Sequence, residues 1–157
     1  MARKYQSTDR FLKPDPRFNS MLVAKFINCL MQDGKKSIAQ KVFYDAMEIV
    51  AKRISDKTPE EVFAQAVSNV KPMIEVRSKR VGGATYQVPI EVKRTRQQNL
   101  AFRWLLEAVR KKSGRATCTF LADEICAAYN KEGNAMTTRE NTHKMADANK
   151  MNAHFAW

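Results

Sequence analysis

The chain has 157 residues, room for one domain of ordinary size but not for two large ones, and at that length a core holds without disulfides or metal. Its longest apolar run is five residues, Ile125 to Tyr129, and no apolar stretch follows Arg3 and Lys4, so neither a membrane span nor a secretory signal is expected and the expected compartment is the cytoplasm. Twenty-eight Lys and Arg against sixteen Asp and Glu leave a formal net charge of +12, a self-repulsive excess that points to an anionic partner.

In chain order, residues 1–17 hold Pro14 and Pro16 with little periodicity and read as an irregular basic arm carrying Arg3, Lys4, Arg10 and Lys13. Asn19 or Ser20 is the expected cap of a first helix to about Met31, with Leu22, Phe26 and Leu30 on one stripe and Gly34 as the stop. The 3.6-residue period predicts a second helix from about Lys36 to Ser55, burying Ile38, Val42, Ala46, Ile49 and Val50. Thr58-Pro59-Glu60-Glu61 then opens a third helix. The threonine hydroxyl can accept a backbone N–H, proline has none to waste, and Glu61 can reach back to close a capping box. That helix ends near Val70, because Pro72 cannot continue it.

Beyond Pro72 the period changes to two. Ile74, Val76 and Ser78 alternate with charged residues, as do Tyr86, Val88, Ile90 and Val92 with Gln87, Pro89 and Glu91, with Gly82-Gly83 between the runs. A β-hairpin over 73–92 follows, which must either pack its apolar side on the helices or become ordered on a partner, since a lone hairpin is marginal in water. A fourth helix runs from about Thr95 to Lys112, with Leu100, Trp104, Leu105, Ala108 and Val109 inward, and a fifth from about Ala116 to Asn130, burying Leu121, Ile125 and Ala128. Thr137-Thr138-Arg139-Glu140 reads as a second capping box opening a sixth helix to about Met151. The tail His154-Phe155-Ala156-Trp157 is aromatic enough to dock. The expected fold is therefore a single mainly α domain of six helices, with one hairpin between the third and fourth.

The charge is concentrated. Residues 71–115 carry +9 of the +12, twelve cations against Glu75, Glu91 and Glu107, while residues 116–157 sum to −1. A single-sign block of this size favours nucleic acid over a merely solvated face.

No enzymatic constellation emerges. Gly34-Lys35-Lys36-Ser37 resembles the end of a P-loop, but Cys29 stands where the motif needs glycine and Lys36 where it needs Ser or Thr. Two lysines at a helix start suit an RNA phosphate instead. His143 and His154 have no ligand partners at metal-binding spacing, Asp123 and Glu124 point in different directions, and there is no nucleophile elbow. Cys29, Cys118 and Cys126 form no C-x-x-C pair and read as buried thiols, and the eight methionines as core gap-fillers. No catalytic residue, cofactor or metal is expected.

Leu-Lys-Pro-Asp-Pro at 12–16, Asp-Gly-Lys-Lys-Ser at 33–37, Asn-Val-Lys-Pro at 69–72, and the hairpin run from Glu75 to Pro89 resemble bacterial small-subunit ribosomal protein seven. So do the stretch His143 to Lys150 and Ala153-His154-Phe155, and the resemblance spans nearly the whole chain. It implies a six-helix bundle with a projecting hairpin that acts as a structural constituent of the small ribosomal subunit. Such a protein is a primary binder of the 3′ domain of small-subunit (16S) ribosomal RNA and nucleates assembly of the head. The resemblance further implies a place at the subunit interface near the exit-site tRNA and the mRNA path, as a monomer, beside ribosomal protein number eleven and with number nine as a further candidate neighbour.

On that basis, and from the charge pattern, the residues expected to bind rRNA are Arg3, Lys4, Arg10, Lys13, Lys35, Lys36, Arg77, Lys79, Arg80, Gly82, Gly83, Arg94, Arg96, Arg110, Lys111 and Lys112. Those expected toward tRNA or a neighbouring protein are Lys79, Arg80, Val81, Tyr86, Lys144, Lys150, His154 and Trp157, within the hairpin and the 144–157 helix end and tail. Two departures stand out. The family often has a proline and paired arginines after the second strand, where Arg94, Arg96 and Gln97 stand here, so one phosphate contact is expected to be lost. In the fifth helix Phe120 takes an often basic position and Ala116 to Thr119 differ, which puts that helix's RNA role in doubt. The rival readings are a DNA-bending protein with a basic β-arm and an interaction module using the hairpin edge; Val81 is a poor wedge for the former.

Overall fold

The periodic stretches fold into α1 (Met21–Leu30), α2 (Lys36–Arg53), α3 (Pro59–Val70), α4 (Arg94–Arg110), α5 (Thr117–Tyr129) and α6 (Asn134–Ala148). Strands β1 (Ile74–Val81) and β2 (Ala84–Glu91) lie between α3 and α4, and a short 3₁₀ helix, Lys150–Phe155, closes the order. This computed structural model describes residues 11–156. Arg3, Lys4, Arg10 and most of the expected arm, like Trp157, lie outside the described residues.

One phenylalanine from each of the first four helices meets at the centre. Phe26 sits 5.6 Å from Phe43, 5.0 Å from Phe63 and 5.2 Å from Phe102 between ring centroids, tilted or edge-on as ring quadrupoles prefer. Helix α5 packs beneath α2, α3 and α4 and buries Leu121, Ile125 and Ala128 as its period predicts. Helix α2 is rotated from the expected face: Ala39, Phe43, Ala46, Met47 and Val50 are buried, while Ile38 is 59% exposed and Val42 and Ile49 only half-buried. Phe43 lies at the middle of that buried face, against Phe26 and Phe63. In α4, Phe102 and Leu106 join the expected inward set, and Trp104 is only partly buried.

Caps divide into those legible locally and those that are not. Thr58 accepts from the Glu61 N–H and Glu61 from the Thr58 N–H, the expected capping box, which holds the Glu61 carboxyl below its ordinary range. Ser20 stands at the N-cap of α1 but makes no side-chain cap bond. The buried Asp15 organises that approach instead: its carboxylate accepts from the Arg17 and Phe18 N–H groups at 3.1 and 3.2 Å and from the Tyr44 hydroxyl at 2.8 Å. Burial, then Asp15, pushes the Tyr44 phenol up to about 12. The expected capping box at Thr137 does not form. Helix α6 already begins at Asn134, because Glu124 Oε1 accepts the Ala135 N–H at 3.0 Å from the side, and the Thr137 and Thr138 hydroxyls bond back to the Gly133 and Asn134 carbonyls.

The hairpin has the expected two-residue turn, with Gly82 and Gly83 both at positive φ, +57° and +94°, the geometry whose twist matches the flanking strands. Its register pairs Glu75 with Ile90, Arg77 with Val88 and Lys79 with Tyr86. Directly paired residues share a face, so the apolar stripes of the two strands lie on opposite faces. The β2 stripe turns toward the body, burying Val88 together with Glu75, and Ile74 and Val76 stay half-exposed on the other side.

The cysteine and methionine expectations need correction. Cys29 is exposed at the end of α1 and the other two thiols are half-buried, all three free. Met47 and Met136 are core residues, but Met21, Met73, Met145 and Met151 are exposed.

Candidate nucleic-acid interface

Three groups of described cations stand out. At the base of the hairpin, the buried Glu75 carboxylate accepts from Arg77 Nε at 2.7 Å and from Arg96 Nε at 2.8 and 2.7 Å. Arg77 comes from β1 and Arg96 from α4, so one carboxylate ties the hairpin to the bundle. Both side chains remain nearly half-exposed and line one hollow with Lys93. A pair of arginines on one carboxylate leaves local positive charge in a fixed orientation, which suits phosphate.

The second group brings together segments far apart in sequence. Lys35 at the Gly34 turn, Arg110 at the end of α4, Lys112 beyond it and Arg115 before α5 line one cleft of about 360 Å³, with no carboxylate in its lining. Leu30, Ile38, Val42 and Phe120 supply its apolar wall. Two of its four cations have carboxylate partners. Lys112 Nζ donates to the fully buried Glu124 at 2.8 Å. Arg115 donates to Asp123 Oδ2 at 3.2 Å, and Arg53 takes the other oxygen of the same carboxylate at 2.6 Å. The Arg115 guanidinium also lies over the Phe120 ring, 4.9 Å from its centroid. Arg110 reaches the Cys29 carbonyl at 3.5 Å.

The third group is the hairpin tip and the tail docked against it. Lys79 Nζ donates to the Phe155 carbonyl at 2.8 Å, Phe155 lies 4.8 Å from the Tyr86 ring, and Asn152 Nδ2 donates to the Gln87 carbonyl at 3.1 Å. Lys79 and Tyr86 therefore face the chain's own tail. Arg80, Val81 and the two turn glycines stay at the outer end, with Arg80 exposed. At the root of the hairpin the Met73 N–H donates to His143 Nε2 at 3.2 Å, and burial, then Arg139, holds that imidazole below its ordinary value. His154 bonds the Met151 carbonyl at 2.7 Å, and Lys144 and Lys150 are exposed.

Of the expected rRNA-binding residues, Lys13, Lys36, Arg94 and Lys111 are exposed and make no ion pair with another described residue. Sequence reasoning missed Glu75 as an organiser, although its i, i+2 spacing to Arg77 on one strand face was a usable signal. It also missed Arg115, Phe120 and Ile38, whose common cleft draws its lining from Leu30 to Phe120 and leaves no local pattern. Among the described residues there is no cluster of His, Cys, Asp and Glu able to hold a metal, and no helix long and apolar enough to cross a membrane.

The comparisons fit this arrangement. The family described as ribosomal protein S7p/S5e matches residues 2–150. The chain is 63% identical over 144 residues to small ribosomal subunit protein uS7 of Rhodopirellula baltica, covering 91% of this chain and 92% of that one. It is 50% identical to the Desulfotalea psychrophila protein of that name over the whole of both chains, and 54% identical to that of Thermotoga maritima over 99% of each. A mainly α body, a hairpin between its third and fourth helices and a family match over almost the full length carry one conclusion: the chain belongs to the ribosomal protein S7p/S5e family.

Proposed function

We propose that this chain is a structural, non-enzymatic component of the small ribosomal subunit in the cytoplasm. In this reading it binds the 3′ domain of 16S rRNA as a primary binder and nucleates assembly of the head, at the subunit interface near the exit-site tRNA and the mRNA path. The observation that carries the RNA role is the cleft and hairpin base: cations from the Gly34 turn, β1 and α4, remote in sequence, converge on surfaces where exposed Lys and Arg outnumber acids. Phosphate contacts from such a surface hold register on folded RNA, and shape supplies most of the specificity. The described end of the arm, Lys13, adds to the same role. The hairpin tip with Arg80 and Val81, and the helix end with Lys144 and Lys150, are the parts that reach tRNA or the neighbouring proteins, numbers eleven and nine.

The test is equilibrium binding to a transcript of the rRNA 3′ domain across a salt series. Replacing Lys36, Arg80 and Arg94 together by Ala is expected to weaken binding and to flatten the log–log salt slope by about one unit per lost phosphate contact. These three are better targets than Arg77 and Lys79, whose charged ends already have internal partners. An unchanged slope, or equal affinity for duplex DNA, overturns the assignment. The intact protein is also expected to sediment with small subunits through a moderate salt wash.

A further inference from the structure

We propose that the cleft between the Gly34 turn and the start of α5 receives one unstacked RNA base, with the Arg115 guanidinium as the plane on which it stacks. This rests on the RNA reading above and names a feature of the RNA that the site takes.

The cleft's size comes first. At about 360 Å³ it falls at the small end of ligand pockets, roughly 300–1,000 Å³, which suits a single planar group and excludes a helix of RNA or protein. Its chemistry has two halves. Leu30, Ile38, Val42 and Phe120 offer apolar wall, and Ile38 is 59% exposed; the charged part of the lining is four cations, two of them held by carboxylates outside it, and no acid. An inorganic anion has no use for the apolar wall, and an apolar peptide has no use for four cations. A nucleotide uses both, through the face of its base and the phosphates on either side.

Arg115 is built as a platform. Phe120 backs one face of the guanidinium at 4.9 Å, and Asp123 holds its edge at 3.2 Å while itself anchored by Arg53. The side chain remains 62% exposed and lines the cleft. A planar cation whose orientation is set beforehand loses little freedom when a base stacks on it, and Arg planes are a common partner of splayed RNA bases. Lys35 and Arg110 line the same cleft and can meet the flanking phosphates, and Gln32 and Thr117 bring hydrogen-bonding groups for the base edge. Phe120, at a position the family often makes basic, thus supports a cation supplied five residues earlier.

The test uses the intact protein and the rRNA 3′-domain transcript, with Arg115→Lys as the deciding variant, since lysine keeps the charge and loses the plane. The expected result is roughly tenfold weaker binding, the loss of one base stack, with the salt slope unchanged. Ile38→Ser, at an exposed position that folding tolerates, is expected to weaken binding several-fold, again without a change in slope. Thermal unfolding of each variant checks that the loss is not one of folding. Wild-type affinity in both variants, alongside a flattened slope in the Lys36, Arg80, Arg94 triple variant, overturns the base receptor and leaves RNA binding standing, as an apolar peptide occupant would also give. Absence of salt-dependent rRNA binding by the wild type overturns both.

Discussion

Glu124 shows how much one buried side chain decides. It accepts from Lys112 on one oxygen and from the Ala135 N–H on the other, so a single carboxylate ties the segment after α4 to the start of α6. Glu124→Ala leaves a buried N–H and an ammonium without their acceptor. It is expected to cost about 2–3 kcal/mol, read as a lower urea midpoint at unchanged m-value. Beside it, Gly133 sits at φ +93°, and a Cβ there would come 3.0 Å from Ala127 Cβ and 3.1 Å from Glu124 Oε1. Gly133→Ala therefore combines backbone strain with a clash and is expected to cost more than about 1 kcal/mol in the same measurement. His143 makes stability depend on pH. Burial and Arg139 favour its neutral form and Asp147 opposes them, so the unfolded chain binds that proton more tightly. Its contribution is full above the ordinary histidine value of 6.5 and is lost as pH falls below it. The expected outcome is a Tm that drops between about pH 7.5 and 5.5, with a smaller drop in His143→Gln, where the amide oxygen can still accept from Met73.

At the scale of elements, the hairpin and the tail behave as one unit. A two-stranded ribbon is marginal alone, and here α6 packs on β1 while the 3₁₀ helix packs on β2. Removing residues 150–157 deletes the Phe155 ring from Tyr86, the carbonyl from Lys79 and the Asn152 bond to Gln87. Faster amide exchange throughout β2, with protection of α2 and α5 unchanged, is the expected result; equal protection would show that the tail is not what holds the ribbon. The Thr58 cap is the local counterpart: Thr58→Ala is expected to lower stability by about 1 kcal/mol. This cap was legible because its donor and acceptor lie three residues apart. The matching pattern at Thr137 was misleading, because Glu124, ten residues before Asn134, caps α6 from another helix. The alternation in β1 and β2 was equally plain, but which stripe faces inward depends on register, and Val81 pairing with Ala84 sends the two stripes to opposite faces.

Across the whole molecule, net charge sets both solubility and partner. The net charge of +12 leaves the free protein with like-charge repulsion that RNA would relieve. Raising monovalent salt from about 0.05 to about 0.3 M is expected to raise the Tm of the free protein while weakening its RNA binding, two opposite responses to the same screening. The block charges, the order of helices and hairpin, the Gly82-Gly83 turn and the family were all determined by the sequence itself, because each rests on neighbours within a few residues or on composition. Only the tertiary structure decided that α2 turns Ile38 outward, that Glu75 joins Arg77 to Arg96, that the tail occupies Lys79 and Tyr86, and that Lys35, Arg110 and Arg115 share one cleft. Those are contacts between elements far apart in the chain, set by how Phe43 and its neighbours pack, and no local period records them.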